Sequence, residues 1–233
     1  MLIACDFDGT ITDIDTTDLI LSRFAAPEWR EIEQEWLDGK IGSAECMKRQ
    51  VELVYASRED LDDLIDSVEI APYFKELVKS CRSSKIPLVI LSDGIDYAIN
   101  RILANHNIHG LEVRANRLVE KIDGGYSLAF QNSGIGCPSG NCKCSRVWQE
   151  EILTIYIGDG KSDFCVSNKV DLVIAKNALL DYCREKKLFH VPFTGFSEAG
   201  ELILRINRDC YDNPAKIYAK PQLKFTPENM LHI

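Results

Sequence analysis

Asp6 and Asp8 stand two residues apart, directly after the apolar run Leu2-Ile3-Ala4-Cys5 and just before Gly9-Thr10. A short apolar run that ends in carboxylates reads as a buried strand leaving into a polar loop. A carboxylate at such a place can attack phosphorus to give an acyl phosphate. A second can protonate the departing alkoxide and then activate water. Gly9 permits the sharp exit from the strand, and Thr10 can hydrogen-bond back. Like charges this close require a cation, and Mg²⁺, which takes oxygen ligands and bridges carboxylate to phosphate, suits them.

A second acidic group, Gly158-Asp159-Gly160-Lys161-Ser162-Asp163, follows the apolar run Thr154 to Ile157. In a parallel sheet, two adjacent strands that end in Asp bring carboxylates within reach of one ion. Asp159 is the better ligand candidate, with Asp163 behind it to orient a water or a lysine. Ser92, in Leu91-Ser92-Asp93-Gly94, ends another apolar run and offers a hydroxyl and nearby backbone N–H groups to a phosphoryl oxygen. A fixed cation opposite Mg²⁺ completes such a site. Lys143 precedes the helix-like stretch Ser145 to Ile152 and is the first candidate. Arg146 is the competitor, and Lys161 sits in the acidic loop, where a solvated or salt-bridged side chain is expected.

The elements that must position these residues alternate. Apolar runs bounded by breakers occur at Leu2 to Phe7, Pro87 to Leu91, Leu111 to Ala115, Thr154 to Ile157 and Asp171 to Ala175, with a weaker one at Leu188 to Val191. Helix-like stretches lie between several of them. This is the pattern of an α/β, Rossmann-like parallel sheet covered on both faces. The first and second strands are separated by far more than the roughly dozen residues of a minimal crossover. Asp18 to Phe24, Glu28 to Leu37, Ser43 to Tyr55 and Glu59 to Ile65 carry helical spacing there. They predict a small helical cap over residues 14–76, inserted into a core of residues 1–13 and 77–233. Its aromatics Phe24, Trp29, Trp36 and Tyr55 are expected to be core anchors, and Asp15, Thr16 and Asp18 either leaving-group contacts or helix caps. Asp123-Gly124-Gly125, between Leu118-Val119 and Tyr126-Ser127-Leu128, predicts a β-hairpin beside the sheet. From residue 211 the composition turns polar, as in a docked arm or a frayed end.

Composition narrows the function classes. The 233 residues carry 27 Lys plus Arg against 36 Asp plus Glu, a formal net charge of −9, which argues against nucleic acid or anionic membrane as partner. No apolar run approaches the roughly 18 residues of a spanning helix, and the chain reads as cytoplasmic. Nine cysteines are an odd number in a chain too large to depend on disulfides. Cys5, Cys81, Cys165 and Cys183 read as small core residues. For Cys137, Cys142 and Cys144, bound zinc, a disulfide and packed thiols all stay open. Gly160-Lys161-Ser162 is no P-loop, because Ile155 stands where that motif needs a glycine. No Gly-x-Gly-x-x-Gly follows a strand either.

Asp6-Phe7-Asp8-Gly9-Thr10, Ser92, Lys143 and Gly158-Asp159-Gly160 through Asp163, in that order, resemble the haloacid dehalogenase superfamily of aspartate-nucleophile phosphatases. The resemblance implies Asp6 as nucleophile and Asp8 as general acid and base. It implies Ser92, Asp93, Gly94 and Lys143 as the phosphate-holding set. Mg²⁺ would be held by Asp6, the Asp8 carbonyl and Asp159, with Asp163 behind them. A helical cap directly after the first motif is similar to the phosphoserine-phosphatase branch. Trp29 through Trp36, Gly39 to Ser43, Ala115 to Leu118 and the cysteine-rich stretch before Lys143 resemble, within it, the enol-phosphate phosphatases of methionine salvage and their uncharacterised relatives. Ser92-Asp93-Gly94 departs from the Ser-Gly-Gly of the branch. The implied activity is hydrolysis of a small phosphorylated metabolite through an aspartyl-phosphate. Phosphoserine or another small phosphomonoester is the alternative substrate, a noncatalytic or phosphate-accepting regulatory domain is the alternative of another class, and a homodimer is left open.

Overall fold

In the computed structural model, residues 1–122, 124–130, 139–147 and 152–212 are described, without the side chains of residues 145, 146, 211 and 212. Seven strands form one sheet: β1 (Leu2–Cys5), β2 (Leu88–Ile95), β3 (Glu112–Glu120), β4 (Tyr126–Ala129), β5 (Thr154–Gly158), β6 (Leu172–Ala175) and β7 (His190–Pro192). Their order is β4-β3-β2-β1-β5-β6-β7, parallel throughout except for the β3–β4 pair. The expected α/β, Rossmann-like class is what the chain adopts.

Alternation along each strand sorts the core into two layers. Ile3, Cys5, Leu88, Ile90, Ile155, Ile157, Leu172 and Ile174 point into one, and Ala4, Val89, Leu91, Tyr156, Val173 and Ala175 into the other. Strands buried on both faces read as unbroken apolar runs, which is why they stood out in the sequence. Helices α5 (Phe74–Ser83), α6 (Asp96–Asn105) and α10 (Phe196–Asp212) contribute to the first layer. Short helices α7 (Cys144–Val147) and α8 (Phe164–Ser167), with α9 (Asn177–Glu185), contribute to the second. Among the described residues no helix is long and apolar enough to cross a membrane.

Helices α1 (Thr16–Phe24), α2 (Trp29–Leu37), α3 (Ser43–Val51) and α4 (Arg58–Asp66) stand between β1 and β2. Asp15 caps α1 by accepting from the Asp18 N–H at 2.9 Å, and a reciprocal Ser57–Asp60 box starts α4. The third helix stops at Val51 rather than Tyr55, because the chain turns to bridge Val54 to Ala25. Tyr55 is therefore exposed rather than a core anchor, whereas Trp29 is buried as expected. Trp36 is half-buried at the rim of a cavity, with the Lys161 ammonium 5.0 Å from its ring centre.

Two strand expectations change. β2 continues to Ile95, with a register shift between Leu91 and Ile95 that carries Ser92-Asp93-Gly94 on an irregular strand end. The hairpin does not lie beside the sheet: β3 is one strand, parallel to β2 as far as Asn116 and antiparallel to β4 from Arg117 on. Asp123 of the hairpin turn, Cys137, part of the helix expected to run to Ile152, and the tail from residue 213 lie outside the described residues.

Ile90 lies at the centre of this packing with no exposed surface. Ile90→Ala should cost about 2–5 kcal/mol, read as a lower midpoint with unchanged slope in urea unfolding monitored by circular dichroism.

Candidate active site

β1 lies between β2 and β5, with Cys5 in register with Ile90 on one side and Ile157 on the other. The chain builds outward to β3 and β4 on one side of β1 and then crosses to β5, so the strand order reverses there. Open α/β sheets bind ligands outside the carboxyl ends of strands at such a point. Asp6 and Asp8 leave β1, Ser92 leaves the regular part of β2 and Asp159 leaves β5, so three separate motifs converge by topology alone.

Gly9 makes the turn after β1 at φ +69°, and a Cβ there would lie 2.5 Å from Asp159 Oδ2. Side chains larger than hydrogen are excluded by strain and by contact. Gly94 is likewise pressed against Asp8 Oδ2 and Ser92 Oγ, with no room for a Cβ.

Lys143 is 2% exposed and sits between two carboxylates, its Nζ 2.7 Å from Asp6 Oδ2 and 2.7 Å from Asp163 Oδ1. It is thus brought against Asp6, the first of the two carboxylates after β1. Lys161 lies over Trp36 instead, and the side chain of Arg146 falls outside the described residues. Asp163 accepts from the Tyr156 hydroxyl at 2.5 Å and from the backbone N–H groups of Asp159 and Gly160 at 3.0 and 3.1 Å. All its acceptor positions serve the protein, which suits a group that holds Lys143. The other Asp6 oxygen accepts from the Phe7 N–H at 2.8 Å.

Asp8 accepts from the Thr16 N–H at 2.8 Å and the Thr16 hydroxyl at 2.6 Å on one oxygen, and from Ser92 Oγ at 3.3 Å on the other. Thr16, considered for leaving-group contact, is directed at Asp8 instead. Ser92 Oγ in turn accepts from the Gly94 N–H at 2.8 Å. Thr10 and Asn177 each reach Asp159 at 3.4 Å.

The charges do not balance. Burial works to lower Lys143, but Asp163 and Asp6 outweigh it and hold the ammonium protonated. Burial works to raise Asp163, but Lys143 and the hydrogen bonds from Lys143 and Tyr156 keep it below its ordinary value. Asp6 loses that competition: burial, then the Asp163 charge, push its carboxyl well above the usual range against the pull of Lys143. Burial raises Asp8 against the hydrogen bonds of Thr16, and burial followed by Asp163 raises Asp159. One ammonium therefore serves several buried carboxylates. Asp6, Asp159 and Asp163 each offer an oxygen within 4.8 Å of the others, the one such metal-sized group among the described residues. An all-oxygen set with surplus negative charge fits a hard divalent cation.

Asp6, Asp8, Ser92, Lys143 and Asp159 line a cavity of about 430 Å³ whose far wall comes from the inserted helices: Asp15, Thr17, Asp18, Glu33, Trp36 and Ser43. Cys142 and Cys144, on either side of Lys143, have their sulfurs 3.0 Å apart. Cys5, Cys81 and Cys183 are buried as expected, and Cys165 is half-buried. Sequence reasoning missed Tyr156, whose signal was a hydroxyl inside an otherwise apolar buried strand. It also gave no role to Asn116 and Ser43, which were marked only as parts of stretches that carry the resemblance, or to Asn141, which carried no signal.

The fold is the one seen in solved haloacid-dehalogenase-family hydrolases and phosphoserine phosphatases. Residues 1–179 match the model of the Putative Phosphatase family, and the chain belongs to that family. It is 31% identical over 218 residues to a 2-hydroxy-3-keto-5-methylthiopentenyl-1-phosphate phosphatase of Brevibacillus brevis, covering 90% of this chain and 97% of that one. A protein of the same name from Geobacillus thermodenitrificans is 29% identical over 221 residues, covering 88% and 96%. The fold is similar to that of a phosphoserine phosphatase solved as a phospho-aspartyl intermediate analogue, at TM-score 0.61 and 22% identity over 85% of this chain and 95% of that one. It is also similar to a haloacid-dehalogenase-family hydrolase of Salmonella enterica serovar Typhi, at TM-score 0.64 and 17% identity over 84% and 68%.

The unbalanced charge has a measurable consequence without substrate. A carboxyl raised on folding binds its proton more tightly in the native state, so the native state gains stability as pH falls from neutral towards the unfolded carboxylate value of about 4. Asp163 opposes this only below that value, because its own shift is downward. Chelator-treated protein should therefore melt at a higher temperature at pH 5.5 than at pH 7.5. Mg²⁺ at pH 7.5 should give a similar gain, and the two should not add. Differential scanning calorimetry in the four conditions checks this.

Proposed function

We propose that the protein is a Mg²⁺-dependent phosphomonoesterase acting on a small organic phosphate through an aspartyl-phosphate on Asp6. The observation that carries this reading is the Asp6 carboxylate, buried, held by Lys143 and faced by a second carboxylate, Asp8, that shares a hydrogen bond with Ser92. Asp6 attacks phosphorus as the bond from phosphorus to the leaving oxygen breaks. Asp8, whose raised affinity for a proton suits a general acid, delivers that proton to the leaving oxygen. It then takes a proton from the water that attacks the acyl phosphate, returning Asp6 and releasing inorganic phosphate. Lys143 balances the phosphoryl oxygens, and Ser92 with the adjoining backbone N–H groups holds them. Mg²⁺, held by Asp6, the Asp8 carbonyl and Asp159, would neutralise charge between nucleophile and phosphate. Asp163 keeps Lys143 in place through its ion pair.

Residues 14–76 act as a cap in this reading, because their side chains close the cavity over Asp6 and Asp8. An acyl phosphate needs one positioned water and no bulk solvent, which a lid provides. The cavity volume suits a metabolite and not a folded protein or a nucleic acid. The methionine-salvage enol phosphate is the first substrate to test, because the relatives similar along most of this chain carry that name. Phosphoserine is the second, on the fold likeness. The odd number of cysteines in a chain of this size supports a cytoplasmic setting.

Turnover of a phosphomonoester panel with and without Mg²⁺ tests the reading. Asp6→Asn should abolish turnover while the far-ultraviolet circular dichroism stays unchanged. Lys143→Ala should lower kcat/KM by about 10²–10³-fold, the scale of one oxyanion-stabilising group. Wild-type rates in Asp6→Asn would remove Asp6 as nucleophile.

A further inference from the structure

Asp93 lies on the cavity wall beside Ser92. Its position suggests a substrate contact, but its carboxylate is already engaged by the protein from two directions. Oδ2 accepts a short hydrogen bond from the hydroxyl of Ser43, at the start of α3 in the inserted helices. Oδ1 accepts from the Asn141 N–H at 2.8 Å and from Asn116 Nδ2 at 3.1 Å. Asn141 lies two residues before Lys143, and its own side chain donates to the carbonyls of Ser92 at 2.8 Å and Arg114 at 2.6 Å. Asn116 also donates to the Asp93 carbonyl at 2.5 Å. One carboxylate thus joins the inserted helices, the edge of β3 and the loop that delivers the catalytic lysine.

Lys143 needs such support. The described part of helix α7 after it spans only four residues. The ammonium must nevertheless fall between Asp6 and Asp163. Asn141, two residues before Lys143, is clamped on both its N–H and its side chain.

Building on the proposed phosphatase function, we propose that Asp93 is a positioning residue: it couples the seating of the inserted helices, through Ser43, to the placement of Lys143, through Asn141, and does not itself contact the substrate. Lys143 serves the phosphoryl group, which every substrate shares. Loss of Asp93 must then act on all phosphomonoesters alike and on phosphate itself. A residue that reads the leaving group would act on some and spare others. Charge is not what the role requires. An asparagine at 93 keeps an acceptor for the Asn141 N–H and a donor for the Ser43 hydroxyl, so it should restore what alanine removes.

The test measures kcat/KM for p-nitrophenyl phosphate and two aliphatic phosphomonoesters, and the affinity for inorganic phosphate by calorimetry in Mg²⁺. The proteins are wild type, Asp93→Ala, Asp93→Asn, Ser43→Ala and the Ser43→Ala/Asp93→Ala double variant. Asp93→Ala should lose about tenfold or more in kcat/KM on all three esters by similar factors, as expected for breaking hydrogen bonds to a charged group. Its phosphate affinity should fall in parallel, which a smaller folded fraction would not produce. Asp93→Asn should recover most of both. Ser43→Ala should show part of the loss and add nothing in the Asp93→Ala background. If Asp93→Ala does not fold, Asp93→Ser, too short to reach both partners, takes its place. The proposal is overturned if Asp93→Asn is as impaired as Asp93→Ala, if the loss is confined to one leaving group, or if phosphate affinity is unchanged. Absence of turnover in wild type would instead sink the proposed function. The phosphate affinities, which need no turnover, would still decide the role of Asp93.

Discussion

Burying several carboxylates around one ammonium is the constraint on which the rest of this structure depends. Removing a charge from water is costly unless it is paired, and the single charge of Lys143 is shared between Asp6 and Asp163. Asp163, fully buried and hydrogen-bonded by Tyr156 and two backbone N–H groups, takes the larger share. Asp6 is left with a proton affinity far above that of a carboxylate in water. A group in that state is stabilised when positive charge arrives beside it. The fold therefore holds Asp6 in a condition that favours binding of a divalent cation. The core strands fix the geometry that holds it there.

Those strands do so through order more than through local sequence. With β1 between β2 and β5, residues some 85 and 150 positions apart meet at one sheet edge, because the parallel pairing places each carboxyl end on the same side. The two glycines that matter most act by yielding space: Gly9 to Asp159, and Gly94 to Asp8 and Ser92. The inserted helices then close the volume above. They are tied down on opposite rims by Ser43 on Asp93 and by Trp36 under Lys161, so one rim holds by a hydrogen bond and the other by a cation over a ring.

The parts of this arrangement that were legible in the sequence are those written in short-range pattern. Apolar runs ending in Asp6, Ser92 and Asp159 announce strand ends, and strands covered on both faces leave uninterrupted runs. Lys143 was legible by residue type and not by pattern, since a loop lysine looks the same whether it is solvated or buried. Asp93 was visible as a departure from a familiar tripeptide, but its partners Ser43, Asn116 and Asn141 were not, because each acts across a distance that only the folded chain defines. The continuity of β3 through Asn116 was hidden for a related reason: one strand pairs parallel on one half and antiparallel on the other, and no local signal marks the change. Tyr55 was misread because an amphipathic stretch carries no mark of where its helix is cut short by a bridge to another segment.

The central claim is that Asp6 takes the phosphoryl group covalently before water does. Mass spectrometry of peptides from protein quenched in acid during turnover of p-nitrophenyl phosphate with Mg²⁺ tests it directly. The account predicts a phosphoryl adduct on the peptide bearing Asp6, absent in Asp6→Asn and accumulating in Asp8→Asn, where hydrolysis of the acyl phosphate is slowed. Turnover with no adduct at Asp6 in any of these proteins, or an adduct on another residue that persists in Asp6→Asn, would contradict it.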